Sequence, residues 1–212
     1  MTEAEEIYVV DDDEAVLLSV KAILSQHGYR VHCYSSAEEF LSEMPAGVPG
    51  CVITDVQMPG MDGVELQQRL NTARGLFSLV VVTGVADVPL AVTMMQRGAV
   101  TLLEKPYDHI DMLDAVAKGV AASRKRAESL GNEETVRRRL ATLSAEEQQV
   151  MEFMLADRPN KAIAHSLDLS MRTVDRRRRA VLDKMKVKSI PELALLMGTA
   201  GLNKSELHAS RR

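Results

Sequence analysis

Two hydrophobic periods alternate along the first 120 residues. Ile7-Tyr8-Val9-Val10 is a short apolar run, and behind it Val16, Leu17, Val20, Ile23 and Leu24 recur at helical spacing until Gly28. Val31 to Tyr34 predicts a second strand and Ala37 to Met44 a second helix. Cys51-Val52-Ile53-Thr54 is a third strand with a helix over Val64 to Leu70. Leu79-Val80-Val81-Val82 is a fourth strand, followed by a helix that starts near Pro89, carries Val92, Met95 and Gln96, and ends at Gly98. Thr101-Leu102-Leu103 is a fifth strand, and Ile110, Leu113, Val116, Ala117 and Val120 line a fifth helix. Five strand–helix pairs in this order predict a parallel sheet with helices on both faces. Strands two, three and four, apolar at consecutive positions, read as buried on both sides.

From residue 141 only the helical period remains. Ser144 and Glu147 predict a capping box, with Val150, Met151, Met154 and Leu155 as the apolar stripe. Asp157-Arg158-Pro159 breaks that helix, and Asn160 is placed to cap the next, with Ile163, Ala164 and Leu167 inward. Ser170 predicts the cap of a third helix running to about Met185, with Val174, Val181, Leu182 and Met185 on one face. Ser189 and Pro191 open a last helix. The third helix holds Arg172 and the run Arg176 to Arg179. Two helices around a Leu169-Ser170 turn, the second one basic, fit a helix-turn-helix.

Charge separates the two halves. Residues 1–120 carry a net of −11 and residues 121–212 a net of +7, within 212 residues and a total of −4. The reversal predicts a domain boundary near 120, and the basic half is the one suited to a polyanion. The polar stretch from Arg124 to Glu134, rich in Ala, Glu and Arg, predicts a linker with helical stretches. Cys33 and Cys51 have no metal-type spacing, so neither a disulfide framework nor a cysteine zinc site is expected. No run approaches 18 apolar residues, which excludes a helical membrane span. The acidic stretch Met1 to Glu6 lacks the apolar region of a secretory signal, so the expected compartment is the cytoplasm.

In open α/β sheets the working crevice lies beyond the carboxyl ends of the strands. Asp11 and Asp12 follow the first strand, Asp55 ends the third, Thr83 follows the fourth and Lys105 the fifth. Such carboxylates repel one another, and a divalent cation with oxygen ligands relieves that; Mg²⁺ suits a few carboxylates plus water and a phosphate. Lys105 and Thr83 add donors for phosphoryl oxygens. Each residue alone has an ordinary structural reading: an acidic helix start, a turn residue, a surface charge. Their succession at four strand ends is what points to phosphoryl chemistry.

Those residues carry a resemblance. Val9-Val10-Asp11-Asp12, Asp55-Val56-Gln57-Met58-Pro59-Gly60-Met61-Asp62-Gly63, Val82-Thr83-Gly84 and Glu104-Lys105-Pro106 resemble the receiver signature of two-component response regulators. The resemblance implies a flavodoxin-like, doubly wound five-stranded receiver over 1–122. It implies that Asp55 accepts a phosphoryl group from a sensor histidine kinase. It makes Asp12 and Asp55 direct Mg²⁺ ligands, Asp11 a ligand through water and Gln57 a ligand through its carbonyl. Lys105 and Thr83 would hold the phosphoryl group. Receivers commonly carry an aromatic switch partner to the Thr three positions before the Lys; here that position is Leu102.

A second resemblance covers the rest. Leu143-Ser144, Glu147, Pro159-Asn160-Lys161-Ala162-Ile163-Ala164, Ser170-Met171-Arg172-Thr173-Val174 and Lys184-Met185-Lys186-Val187-Lys188-Ser189 resemble the LuxR-type four-helix DNA-binding domain. With Thr83-Gly84-Val85-Ala86-Asp87-Val88-Pro89, nearly the whole chain resembles FixJ-type regulators. The implied organisation is a receiver at 1–122, a helical linker at 123–140 and an all-α helix-turn-helix domain with a tail at 141–212. By resemblance Asp175, Arg176 and Arg179 face bases of double-stranded DNA, while Lys161, Thr173, Arg177 and Lys184 lie near phosphates. Asp175 stands where relatives often have a basic residue or Glu, Arg177 where they have His, and Asp157 where Gly is usual. The implied activity is transcription regulation through phosphorylation-driven homodimerisation, with RNA polymerase as a further partner and no membrane. The resemblance implies a phosphoryl acceptor rather than an enzyme, except for catalysis of its own phosphorylation and dephosphorylation. The alternatives are a phosphorylation-independent DNA-binding regulator with a silent receiver, and a Mg²⁺-dependent phosphatase with an Asp nucleophile.

Overall fold

The computed structural model describes residues 4–45, 47–72, 76–84 and 88–201. Val85, Ala86, Asp87 and the tail beyond Gly201 lie outside them. The chain divides into two units, Met1–Ala127 and Glu128–Arg212.

The first unit runs β1 (Glu6–Val10), α1 (Glu14–Gln26), β2 (Arg30–Tyr34), α2 (Ala37–Glu43), β3 (Gly50–Asp55), α3 (Gly63–Thr72), β4 (Phe77–Thr83), α4 (Val88–Gln96), β5 (Thr101–Glu104) and the first part of α5 (His109–Ala141), whose residues from Glu128 belong to the second unit. The strands are parallel in the order β2-β1-β3-β4-β5. The strand order reverses at β1, which puts the carboxyl ends of β1 and β3 side by side at the topological switch point.

Burial corrects one expectation. The strands buried on both sides are β1, β3 and β4, while β2 is an edge strand and only Tyr34 in it is buried. Arg30 and His32 interrupt its apolar run, and both bond to Glu6 on the adjacent strand, at 2.5 and 2.8 Å. Alternation along the strands fills two cores. Tyr8, Val10, Val52, Leu79 and Val81 face one side, where Phe40, Leu66 and Met94 pack. Ile7, Val9, Ile53, Val80 and Val82 face the other, against Leu24, Met112 and Val116. In the first core Tyr8, Tyr34, Phe40 and Phe77 pack tilted or edge-to-face with ring centroids 5.3–6.0 Å apart.

The fifth helix continues through the stretch read as a helical linker. It is a single element through Ala141. Ala, Glu and Arg favour helix there. Pairs at helical spacing, Glu133–Arg137 at 2.8 Å and Glu134–Arg138 at 3.3 Å, add to it. Within the first unit Arg126 donates to the carbonyls of Phe77 and Gly98.

The second unit holds α6 (Ala145–Leu155), α7 (Asn160–Ser166), α8 (Met171–Met185) and α9 (Ile190–Thr199). The Ser144–Glu147 capping box forms, and Ser170 and Ser189 cap α8 and α9. Val136, Val150, Met154, Ile163, Val181 and Leu193 are among the residues of its core. Asp157 has φ +52°, so an Asp adopts the left-handed turn that Gly would occupy freely. Asn160 does not cap α7. Pro159 holds the cap position, and the Asn160 amide is used elsewhere.

Phe40, with no exposed surface, touches three other rings of the first core. Phe40→Ala is expected to cost about 3–5 kcal/mol in urea unfolding of that unit. A loss under about 1 kcal/mol would mean that the site repacks and the aromatic cluster is not a rigid core.

Candidate functional site

Neighbouring strands run about 4.8 Å apart, so two carboxylates at adjacent strand ends are forced together. Asp11, immediately after β1, is 3% exposed, and Asp55 ends β3. Lys105, immediately after β5, reaches across to both. Its Nζ donates to Asp11 Oδ2 at 3.0 Å and to Asp55 Oδ2 at 2.6 Å. Burial alone would lower the Lys105 pKa, but the hydrogen bonds to Asp55 and Asp11 and their negative charge prevail and raise it above the ordinary lysine value. The second oxygens are fixed by backbone: Asp11 Oδ1 accepts from Asp13 N at 2.9 Å, Asp55 Oδ1 from Gln57 N at 3.0 Å. Both carboxylates are therefore oriented, and both turn one oxygen to the same cation.

Asp13 has a different task from its neighbours. It caps α1, accepting from Ala15 N at 2.8 Å. Asp12 between them is exposed. The carboxylate oxygens of Asp11 and Asp55 meet at this mouth, with Asp12 and Gln57 close to them in the chain. Such oxygen donors fit a hard divalent cation that keeps several waters, and the Lys105 ammonium marks where positive charge is demanded. Among the described residues no three His, Cys, Asp or Glu side chains form a ready-made metal cluster.

Thr83 is 2% exposed at the end of β4, and its carbonyl accepts from Lys105 N at 2.8 Å. Alternation puts Thr83 on the same sheet face as Leu79 and Val81. Leu102, paired with Val81, is half-buried against that same core. Thr83 and Leu102 thus share one face. Tyr107 packs instead into the opposite core. Burial first, and the nearby Asp11 and Asp55, push its phenol up, against the lowering effect of Lys105.

The loop after Asp55 is held by a residue that the sequence did not single out. Glu38 of α2 accepts from Met61 N at 2.8 Å. Its carboxylate fits against Gly60, whose φ of +78° already disfavours any side chain. Gly63 is required for a different reason: a Cβ there would lie 2.4 Å from the Asp55 carbonyl oxygen. Asp62 then caps α3, its carboxylate accepting from Glu65 N at 2.8 Å. Glu38 reads in sequence as an ordinary acid in a helix's first turn, and nothing local reveals its reach.

The second unit sorts its charged residues by face. Arg172, Asp175, Arg176 and Arg179 are exposed at 3–4-residue spacing, one stripe along α8, opposite the buried Val174, Val181 and Met185. Arg177 and Arg178 lie on the half-buried flanks, and Lys161 is exposed on α7. Among the described residues none of Arg172, Arg176 and Arg179 is in a salt bridge. The Thr173 hydroxyl is 2.9 Å from Ser170 Oγ at the helix start. Lys184 is engaged inside the unit, donating to Glu147 Oε2 at 2.6 Å and to the Thr142 carbonyl at 3.0 Å. Burial would raise the Glu147 pKa, but the bond from Lys184 prevails and lowers it. Lys184 therefore ties α8 to the α6 cap.

Comparison with known proteins agrees with both units. Residues 7–117 match the response regulator receiver domain, and residues 141–197 match the bacterial regulatory proteins of the luxR family. The transcriptional regulatory protein FixJ of Bradyrhizobium diazoefficiens is 38% identical, over 95% of this chain and 98% of its own. Among solved structures, the response regulator StyR superposes with a TM-score of 0.78 at 30% identity, covering 92% of this chain and 98% of StyR. Full-length FixJ from B. japonicum gives a TM-score of 0.57 at 37% identity, covering 96% of this chain and 100% of FixJ.

The raised Lys105 pKa has a pH signature. A cation whose pKa is higher folded than unfolded contributes stability fully below its unfolded value, ~10.4, and that contribution is lost as pH rises through the folded value. Lys105→Met should therefore lower stability at neutral pH, and the gap to the unmodified protein should narrow as pH rises past the ordinary lysine value of ~10.4. Urea unfolding across that range checks it; a gap that stays constant to the alkaline end contradicts the pairing.

Proposed function

Because this chain belongs to the two-component response regulators that join a receiver to a LuxR-type DNA-binding domain, FixJ among them, we propose that Asp55 is its phosphoacceptor and α8 its DNA-reading helix. The observation that carries the first part is the convergence of Asp55 and Asp11 on the Lys105 ammonium at 2.6 and 3.0 Å. The phosphoryl donor is the phosphohistidine of a sensor histidine kinase. An Asp55 carboxylate oxygen attacks phosphorus, the P–O bond forms as the P–N bond breaks, and the imidazole leaves with the bonding pair. Lys105, already at Asp55, neutralises oxygen charge that builds on the transferred group. Thr83 stands at the next strand end to donate its hydroxyl to another phosphoryl oxygen.

Mg²⁺ is the cation this mouth suits. Asp11, Asp12, Asp55 and the Gln57 carbonyl would hold it, and when bound it would supply positive charge to neutralise phosphoryl oxygens. The receiver's own residues thus catalyse the acyl phosphate's formation and, with water as the attacking group, its loss.

The phosphoryl group adds charge where Lys105 now serves two carboxylates. Movement of Thr83 toward that group opens space on the sheet face that Leu102 shares, and Leu102 and α4 respond by repacking. The resulting surface around α4 and β5 favours a homodimer. A dimer links two half-site contacts into one binding event on double-stranded DNA. On α8, Asp175, Arg176 and Arg179 meet base edges, with Lys161, Thr173 and Arg177 near phosphates. Lys184, tied to Glu147, serves chiefly to set α8 on α6. A cytoplasmic location and contact with RNA polymerase follow from this role. Among the described residues no helix is long and apolar enough to cross a membrane.

Asp55→Asn is expected to abolish labelling by a phosphorylated kinase domain or acetyl phosphate. Stoichiometric acid-labile phosphate on that variant would place the phosphoacceptor elsewhere. Arg179→Ala should relax base preference at one position by about 1–3 kcal/mol, whereas Lys161→Ala should weaken all sequences alike and reduce the salt slope by about one. Equal losses on target and random DNA for Arg179→Ala would remove it from the base-reading set.

A further inference from the structure

Asp175 is an unusual residue to find on an arginine-lined stripe. It sits in the second turn of α8, between Arg172 and Arg176 on the exposed face. A carboxylate there repels DNA phosphates and can only accept hydrogen bonds. Its ordinary use would be to neutralise a neighbouring arginine at helical spacing. The structure gives it another partner. Asn160, the first residue of α7, donates from Nδ2 to Asp175 Oδ1 at 2.7 Å. The two residues are 15 apart in sequence and come from the two helices flanking the 167–170 turn.

That turn is itself well fixed. Leu169 N donates to the Ala164 carbonyl at 2.9 Å, and Ser170 caps α8. Asp168 has φ +52°, the left-handed conformation that reverses the chain. Asn160 therefore acts on Asp175 from a position set by two closed helix ends. An Asn amide donates from nitrogen only, so the bond consumes Oδ1 and leaves Oδ2 as the acceptor available on the exposed side.

Resting on the reading of α8 as the base-reading helix, we propose that Asn160 is a specificity-determining positioning residue: it locks the Asp175 carboxylate so that Oδ2 accepts from the N4 amino group of one cytosine in the major groove. A carboxylate meeting a cytosine amino group is a recognised base pairing of side chains; the O6 and N7 of guanine and the O4 of thymine are acceptors that a carboxylate repels, and adenine sets its N6 amino group beside the acceptor N7. A free Asp175 would swing toward Arg172, Arg176 or Arg179 and lose that selectivity. Held by Asn160, it rejects the wrong edge as much as it accepts the right one. The arginines on either side then supply affinity, and the acid supplies discrimination.

The test is selection of binding sites from randomised duplexes with the full-length protein, followed by titration of single-base variants of the selected site. The unmodified protein is expected to prefer cytosine at one position of each half-site by about tenfold. Asn160→Ala and the near-isosteric, uncharged Asn160→Leu, which keeps the shape and loses the donor, should each reduce that preference to about twofold or less. Preferences at other positions, the salt slope and the far-UV melting profile should stay as they were. In the Asp175→Ala background, where the cytosine preference is gone, Asn160→Ala should change nothing further. The proposal is overturned if either Asn160 variant keeps the full preference, if the variants weaken all sequences equally, or if the selected position is an adenine rather than a cytosine. Should Asp175→Ala and Arg179→Ala both leave every base preference intact, the base-reading role of α8 itself falls. Loss of preference only in the Asn160 and Asp175 variants isolates the clamp.

Discussion

The rest of the first unit depends on one ammonium group between two carboxylates. A doubly wound sheet brings the ends of β1 and β3 together where the strand order reverses, and both ends carry Asp. Strand spacing leaves those charges no room to separate, and a water-poor setting makes their repulsion stronger than it would be in bulk solvent. Lys105 resolves the conflict from β5, across the carboxyl end of β4. It resolves it without saturating the site, because each carboxylate keeps one oxygen on backbone and one on a movable side chain. Such an arrangement leaves the shared oxygens on a side-chain cation that can move, which is what the proposed metal and phosphoryl chemistry needs.

The second unit answers to the opposite constraint, an excess of positive charge on one helix. Four consecutive arginines cannot share a face at 100° per residue. The structure exposes Arg176 and Arg179 with Arg172, and leaves Arg177 and Arg178 on the flanks. An acid remains on the exposed stripe, held by Asn160. On the proposed reading, affinity for a polyanion and discrimination among its bases fall to different residues on the same surface.

Much of this is legible in the sequence because local signals suffice for it. Short apolar runs separated by amphipathic stretches announce the alternating fold, and Ser144, Ser170 and Ser189 announce helix starts through nearest-neighbour chemistry. Asp11, Asp55, Thr83 and Lys105 stand out because a parallel sheet places each of them at the same end. What the sequence hides is long-range. Edge and centre are not distinguished by an apolar run, so β2 looked as buried as β3. Glu38 reaches a loop 23 residues on. Asn160 has the chemistry of a helix cap but bonds across to α8, and Lys184 has the charge of a phosphate contact but bonds Glu147. The composition of the 123–140 stretch suggested helix, but no local signal shows that it continues α5 without a break.

The most direct measurement follows mass and DNA affinity together on one sample of full-length protein in Mg²⁺, before and after beryllofluoride, with bound fluoride monitored by ¹⁹F resonance. The account requires the analogue to bind, the solution mass to approach that of two chains, and affinity for a two-half-site duplex to rise in step. Bound analogue with mass and affinity both unchanged would contradict it, leaving the mouth of the sheet and the arginine-bearing helix without a physical link.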